Sequence, residues 1–194
     1  MPSRRTVLRL LGGAALLPVA GGGAWTLTRD PAAARAPWET AGTTGDPRLD
    51  ALSWAVLAPN PHNRQPWRLT LPGADEVLLF ADPERRLPMT DPFDRQIAIG
   101  LGCFVEAFAL AAAAGGRAAE VEPFPDGANP DRLDDRPVAR LRLAGPAAPD
   151  PLFAALPNRR TCKEPFEDRA PAPETLAPLA AEGARLHTGK AQVA

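Results

Sequence analysis

Residues 94–116 read DRQIAIGLGCFVEAFALAAAAGG, and this run limits the possible folds more than any other stretch. It predicts a helix of about 20 residues, apolar on nearly every face and stopped by Gly115 and Gly116. A helix of this kind must be buried on all sides, inside a core or against a second copy of the fold, or else cross a membrane. Arg95, Glu106 and the abundant Ala and Gly favour burial in protein. With 194 residues and 45% hydrophobic content, the chain is long enough to build one domain around such a helix.

The flanking segments supply what would wrap it. Asp46-Pro47 reads as an N-cap followed by proline at the first helical position. Leu49, Leu52 and Val56 follow at helical spacing, and Pro59 ends the helix. WRLTL and EVLLFA enclose the turn PGAD, which predicts a β-hairpin. RAAEVEPF and PVARLRL read as two further strands, DPLFAALPN as a short helix, Pro173 to Glu182 as a last helix and ARLHTG as the start of another strand. Helices mixed with hairpins argue for an α+β class rather than alternating parallel βαβ units. The GLG at Gly100–Gly102 is a fragment of a dinucleotide-binding fingerprint. It lies inside a helical run rather than at a strand-to-helix turn, so a Rossmann reading fails.

The N-terminus has a separate logic. PSRRTVLRLLGGAALLPVAGGGA pairs Arg4 and Arg5 with a short apolar run, the pattern of a twin-arginine export signal. Residues 1–36 are therefore expected to be a signal or, if uncleaved, a membrane anchor, with 37–45 as a Pro-rich linker. Localisation would be the periplasm or cell envelope. Losing five arginines and Asp30 with residues 1–36 takes the formal charge from −1 to −5. A mildly acidic domain of this kind has no electrostatic footprint for nucleic acid. Two histidines and no Cys-x-x-Cys give no metal site. Cys103 is simplest as a small core residue, and sequence alone leaves its pairing with Cys162 open.

Two polar segments remain. LAPNPHNRQPWRL (Leu57–Leu69) crowds amides, cations and three prolines between a helix and a strand. NRRTCKEPF (Asn158–Phe166) places Arg159, Arg160 and Lys163 around the hydroxyl of Thr161. Guanidiniums and an ammonium around a hydroxyl suit a phosphate, although Arg-rich loops are commonly just solvated.

Together the segments resemble the nitroreductase superfamily of flavin enzymes. RRTCKEPF is similar to that family's Arg-x-Ser-x-Lys/Arg-x-Phe signature, with Thr161 for serine. APNPHNRQPWRL is similar to its Ala-Pro-Ser-x-x-Asn-x-Gln-Pro-Trp segment. With the twin-arginine start, the likeness is to the exported, tandem-repeat Acg family of FMN-binding oxidoreductases in particular, and it covers most of the chain from about Asp46. It implies a nitroreductase-like three-layer sandwich, a mixed and largely antiparallel sheet flanked by helices. The Arg signature follows the QPW segment by about 100 residues, the reverse of the order within one family subunit. A first repeat over 46–155 and the start of a second, truncated one over 156–194 would give this order, and an incomplete fold.

The resemblance implies FMN as cofactor, with Arg159, Thr161 and Lys163 on its phosphate and Pro59, Asn60 and Asn63 lining the ring from the other half. It further implies NAD(P)H as electron donor, a small flat acceptor such as a nitro compound or quinone, a ping-pong cycle, and a second nitroreductase half as partner, in the same chain or another subunit. No side chain is required as a nucleophile or proton-transfer catalyst. Asn60 and Pro61 depart from the family's serines, and Pro61 has no backbone N–H to offer. The alternative is a non-catalytic flavin-binding or flavin-sequestering protein, or an inactive half-domain. Simpler roles stand beside these: Trp67 in the hairpin core, His62 as a hydrogen-bonding group at the helix exit, Gln65 and Arg68 serving the hairpin.

Overall fold

The structure, a computed structural model, describes residues 32–190, which divide into two compact units meeting at Arg159/Arg160. The export-signal expectation falls on residues that lie, up to position 31, outside those described. A helix, α1 (Ala32–Thr40), runs through Pro37 into the segment expected as linker.

In the first unit Asp46 caps α2 (Pro47–Ala55) as expected, its carboxylate accepting from Arg48 N at 2.9 Å. The hairpin forms from β1 (Trp67–Thr70) and β2 (Glu76–Ala81), with Trp67 opposite Ala81 and Leu69 opposite Leu79. Next comes α3 (Arg95–Ala114), closed by Gly116 at φ 78°. Two antiparallel strands, β3 (Arg117–Pro123) and β4 (Ala139–Pro146), complete the sheet, in the order β1-β2-β4-β3. Every pairing among the described residues is antiparallel, so the fold is α+β, as the resemblance requires.

Alternation decides which face is buried. Val77, Leu79 and Ala81 of β2 and Ala139, Leu141 and Leu143 of β4 point one way and are buried. They form the core with Leu52 and Ala55 of α2 and with Leu101, Phe104 and Phe108 of α3. Trp67 joins this core, its ring centroid 5.0 Å from that of Phe104. The opposite face of the sheet is a ladder of charge: Arg140 pairs with Glu76 and Glu122, and Arg142 with Glu76 and Glu120.

Two expectations need correction. Although α3 has the length and hydropathy of a membrane span, it is a core helix with one open side: Arg95, Gln96, Ile99, Gly102 and Glu106 are exposed at helical spacing. Arg95, Gln96 and Glu106 mark this side in the sequence, but Ile99 and Gly102 between them interrupt the polar signal. ARLHTG is not a strand. It continues α4 (Pro173–Lys190), the helix of the second unit, because Gly183 weakens a helix by only about 1 kcal/mol relative to alanine and does not end it here. A short 3-10 helix, Pro151–Asn158, closes the first unit, capped by Asp150.

Candidate functional site

After α2 the chain turns through Leu57 and Ala58, both buried, into a 3-10 turn at Pro61–Asn63 that delivers Pro66 and Trp67 to the sheet. Three residues in this short loop occupy the left-handed region: His62 at φ 50°, Asn63 at 51° and Gln65 at 48°. Asparagine tolerates that conformation, whereas histidine and glutamine each incur a cost of order 1–2 kcal/mol. Local bonds hold the strain in place. Asn60 Oδ1 accepts from Gln65 N at 2.7 Å, and Asn60 Nδ2 donates to the Ala58 carbonyl at 3.2 Å. The N–H groups of Asn63 and Arg64 donate to the carbonyls of Asn60 and Pro61.

Two other contacts fix the loop from outside. Gly100 of α3 lies directly beneath it; a Cβ there would meet Pro61 Cδ at 3.2 Å and Asn60 Cβ at 3.3 Å. A glycine fragment that fails as a dinucleotide fingerprint thus serves as the seat of the loop. On the far side, Arg64 donates to the carbonyls of Glu84 and Arg85, and Arg85 donates back to the carbonyl of Arg64 at 2.9 Å. No sequence pattern marks this clasp.

The expected site residues are therefore placed unequally. Pro59 and Asn60 are half-buried, and both ends of the Asn60 carboxamide are used inside the loop. Asn63 is exposed, and among the described residues its carboxamide makes no hydrogen bond, so it is the loop's available polar side chain. Arg159 comes to the base of the same loop, where Nη2 donates to the Leu57 carbonyl at 2.8 Å. Thr161 and Lys163 belong to the second unit and are exposed there. His62 is exposed at the loop's crest, while Cys103 and Cys162 are both free thiols. The loop thus presents a braced rim with one outward carboxamide, that of Asn63. Asn60 is the brace of that rim.

Charge is concentrated where the connection after β2 meets α3. Asp91 caps α3, Oδ2 accepting from Ile97 N at 3.0 Å, and negative charge there complements the helix dipole. Asp94 is buried beside it, 3.0 Å from Arg86 Nη2 in an ion pair without the alignment of a hydrogen bond. Burial raises the Asp94 pKa, and Arg86 only partly offsets this.

No protein-family model matches the chain. It is 33% identical over 134 residues to the protein named "Putative NAD(P)H nitroreductase Rv3131" of Mycobacterium tuberculosis strain H37Rv, covering 69% of this chain and 38% of that protein. It is 39% identical over 90 residues to "Putative NAD(P)H nitroreductase acg" of the same strain, covering 46% and 27%. An "Uncharacterized protein Rv3127" is 34% identical over 124 residues, covering 61% and 35%. The chain thus spans between about a quarter and two fifths of the length of the curated relatives it matches. Over the stretch it shares with them, and with the α+β fold it adopts there, the chain belongs to the nitroreductase superfamily.

Proposed function

We propose that the chain forms part of an FMN-dependent NAD(P)H oxidoreductase acting on nitro compounds, quinones or similar flat acceptors. The observation that carries this reading is the strained Pro59–Gln65 loop, braced by Asn60 and seated on Gly100. Left-handed strain in non-glycine residues persists only where the surroundings over-determine it, and ligand clamps are where it collects. The names of two relatives point the same way.

When bound, FMN supplies the electron transfer from NAD(P)H to the acceptor, in a ping-pong cycle. The chain's own groups bind and orient. The Asn63 carboxamide and the Pro59 backbone meet the polar ring edge, while Arg159, Thr161 and Lys163 serve the phosphate with charge-assisted hydrogen bonds. We place the two walls in different halves of a tandem arrangement, 46–155 and a repeat beginning at 156. A second nitroreductase half, in the same chain or another subunit, is then the partner. Export by the twin-arginine route, to the periplasm or envelope with the N-terminus as signal or anchor, completes the proposal.

The test is a titration of FMN into the purified chain, and into the chain joined to its second half, read by flavin absorbance and fluorescence. Saturable uptake by either supports the reading, and uptake by neither overturns it. NADPH-dependent bleaching without oxygen then separates an enzyme from a flavin-sequestering protein. The second outcome has its own support, since Pro61 has no N–H and the Asn60 amide is already used within the loop.

A further inference from the structure

The first unit contains a recess remote from the Pro59–Gln65 loop. A cavity of about 380 Å³ opens between α2, the C-terminal end of α3, Arg117 and Phe153. This is within the range of small-molecule sites, about 300–1,000 Å³. Twelve residues of α3 separate Gly100, under the loop, from Ala112 in the cavity wall, which is about 18 Å of helix.

Its walls come from one face of α2. Pro47, Asp50, Ala51 and Trp54 follow at spacings of three and four, so the Asp50 carboxylate and the Trp54 indole sit one turn apart on the same side. Trp54 meets Phe153 edge-on, with centroids 5.2 Å apart and planes at 79°. Opposite them the end of α3 and its cap present only small residues, Ala111, Ala112, Ala114 and Gly115, which leave the space open.

The lip is fixed. Gly42, at φ +75°, donates its N–H to Ser53 Oγ at 2.7 Å, and a Cβ there would lie 2.8 Å from Trp54 Nε1. Glycine at this position lets the indole stand where it does. Thr44 donates both its N–H and its hydroxyl to Asp50 Oδ1, each at 2.7 Å.

Charge then selects the ligand. Arg117 is balanced from outside the cavity by Asp75, 3.2 Å away, and donates further to the carbonyls of Leu143 and Ala144. Asp50 has no such balance. Among the described residues it forms no ion pair, and both of its hydrogen bonds fall on Oδ1, so Oδ2 faces no donor. A structural role for Asp50 in holding Thr44 accounts for one oxygen only. A carboxylate with one oxygen free of hydrogen bonds and no ion pair among the described residues, beside an aromatic pair and over a floor of alanines, is the chemistry that recognises an organic ammonium with an apolar body.

The geometry points to a binding site for a small organic cation, its ammonium at Asp50 and its body lying along Trp54 against Ala111 and Ala112. The site owes nothing to the flavin reading.

Three probes with a common body test it on the full chain by titration calorimetry at low salt: 2-phenylethylammonium, the neutral 2-phenylethanol and the anionic phenylacetate. Saturable binding of the ammonium, about tenfold or more tighter than the alcohol, with no binding of phenylacetate, is expected. Asp50→Asn keeps an acceptor for Thr44 and should bring ammonium and alcohol to equal affinity. Ala114→Leu should fill the recess and abolish both, whereas Gln96→Ala, on the exposed side of α3, should leave both affinities unchanged. Circular dichroism checks that each variant folds. If no probe binds, if all three bind equally, or if a folded Asp50→Asn keeps the preference for the cation, the proposal is overturned.

Discussion

Arg159 Nη2 donates to the Leu57 carbonyl across 2.8 Å, tying two positions 102 residues apart at the base of the strained loop. The carbonyl lies in the turn just past Val56, the C-cap of α2, and a half-buried guanidinium supplies its donor. The bond therefore links the last residue of the first unit to the loop proposed as a flavin wall.

Removing that donor should register in two measurements. A hydrogen bond from a charged group contributes about 1.5–3 kcal/mol where it is sheltered, so Arg159→Ala should lower urea-unfolding stability by roughly 1–3 kcal/mol. It should also weaken FMN binding more than His62→Ala. Lys163 is exposed, so Lys163→Ala should weaken FMN binding without moving the unfolding midpoint. Equal flavin affinities for the Arg159, Lys163 and His62 variants would remove the phosphate assignment.

Gly100 and Gly102 provide a matched pair on one helix. At Gly102 a Cβ would meet nothing, so Gly102→Ala should stabilise by about 0.5–1 kcal/mol through helix propensity and lost unfolded-state freedom. At Gly100 the same change presses on Pro61 Cδ at 3.2 Å and on Asn60. Its propensity gain should be cancelled or reversed, and Gly100→Leu should be destabilising by about 1–3 kcal/mol or more. Thermal or urea unfolding of the three variants checks the order. Two equally stabilising alanines would mean that the loop does not rest on α3.

These sites also show where the sequence was readable. The Asp46-Pro47 cap, the hairpin and the Gly115-Gly116 stop were legible because each depends on residues adjacent in the chain. The open side of α3 was legible only in part, since Ile99 and Gly102 interrupt the polar signal of Arg95, Gln96 and Glu106 and packing shows which face lacks a neighbour. ARLHTG was misread because a strand pattern this short competes poorly with a helix already under way. In the candidate site, the rigidity of LAPNPHNRQPW could be inferred from its prolines. The left-handed turns at His62 and Gln65, the dual use of the Asn60 amide, and the clasp between Arg64 and Arg85 depend on tertiary placement, which spacing does not encode.

Asn60 can be tested as a brace. Asn60→Ala strips acceptor from Gln65 N and donor from the Ala58 carbonyl while Gly100 still fits beneath. The expected cost is about 1–2 kcal/mol of stability, with faster amide exchange at Gln65. Asn60→Asp keeps the acceptor and loses the donor, so it should protect Gln65 but not restore full stability. Unchanged exchange at Gln65 in the alanine variant would show that the loop is held by Gly100 and Arg64 alone.

Two aspartates should titrate stability in opposite senses. The Arg136 guanidinium lowers the Asp134 pKa from 3.8 to about 2, so its contribution is present above pH 3.8 and lost as pH falls through about 2. Asp94 is the reverse case. Burial raises its pKa above 3.8, so its favourable contribution is full below that value and disappears as pH rises through the raised one. Urea unfolding of wild type, Asp134→Asn and Asp94→Asn from pH 2.5 to 7 separates the two. Relative to wild type, Asp134→Asn should be least stable near neutrality, the difference closing as pH drops below about 4. The difference for Asp94→Asn should move the other way, toward the variant, as pH rises from 4. Because the variant also leaves Arg86 without its carboxylate, the slope with pH and not the value at any one pH is the readout. Parallel slopes for the two variants would show that the ion pair with Arg86 outweighs the burial of Asp94.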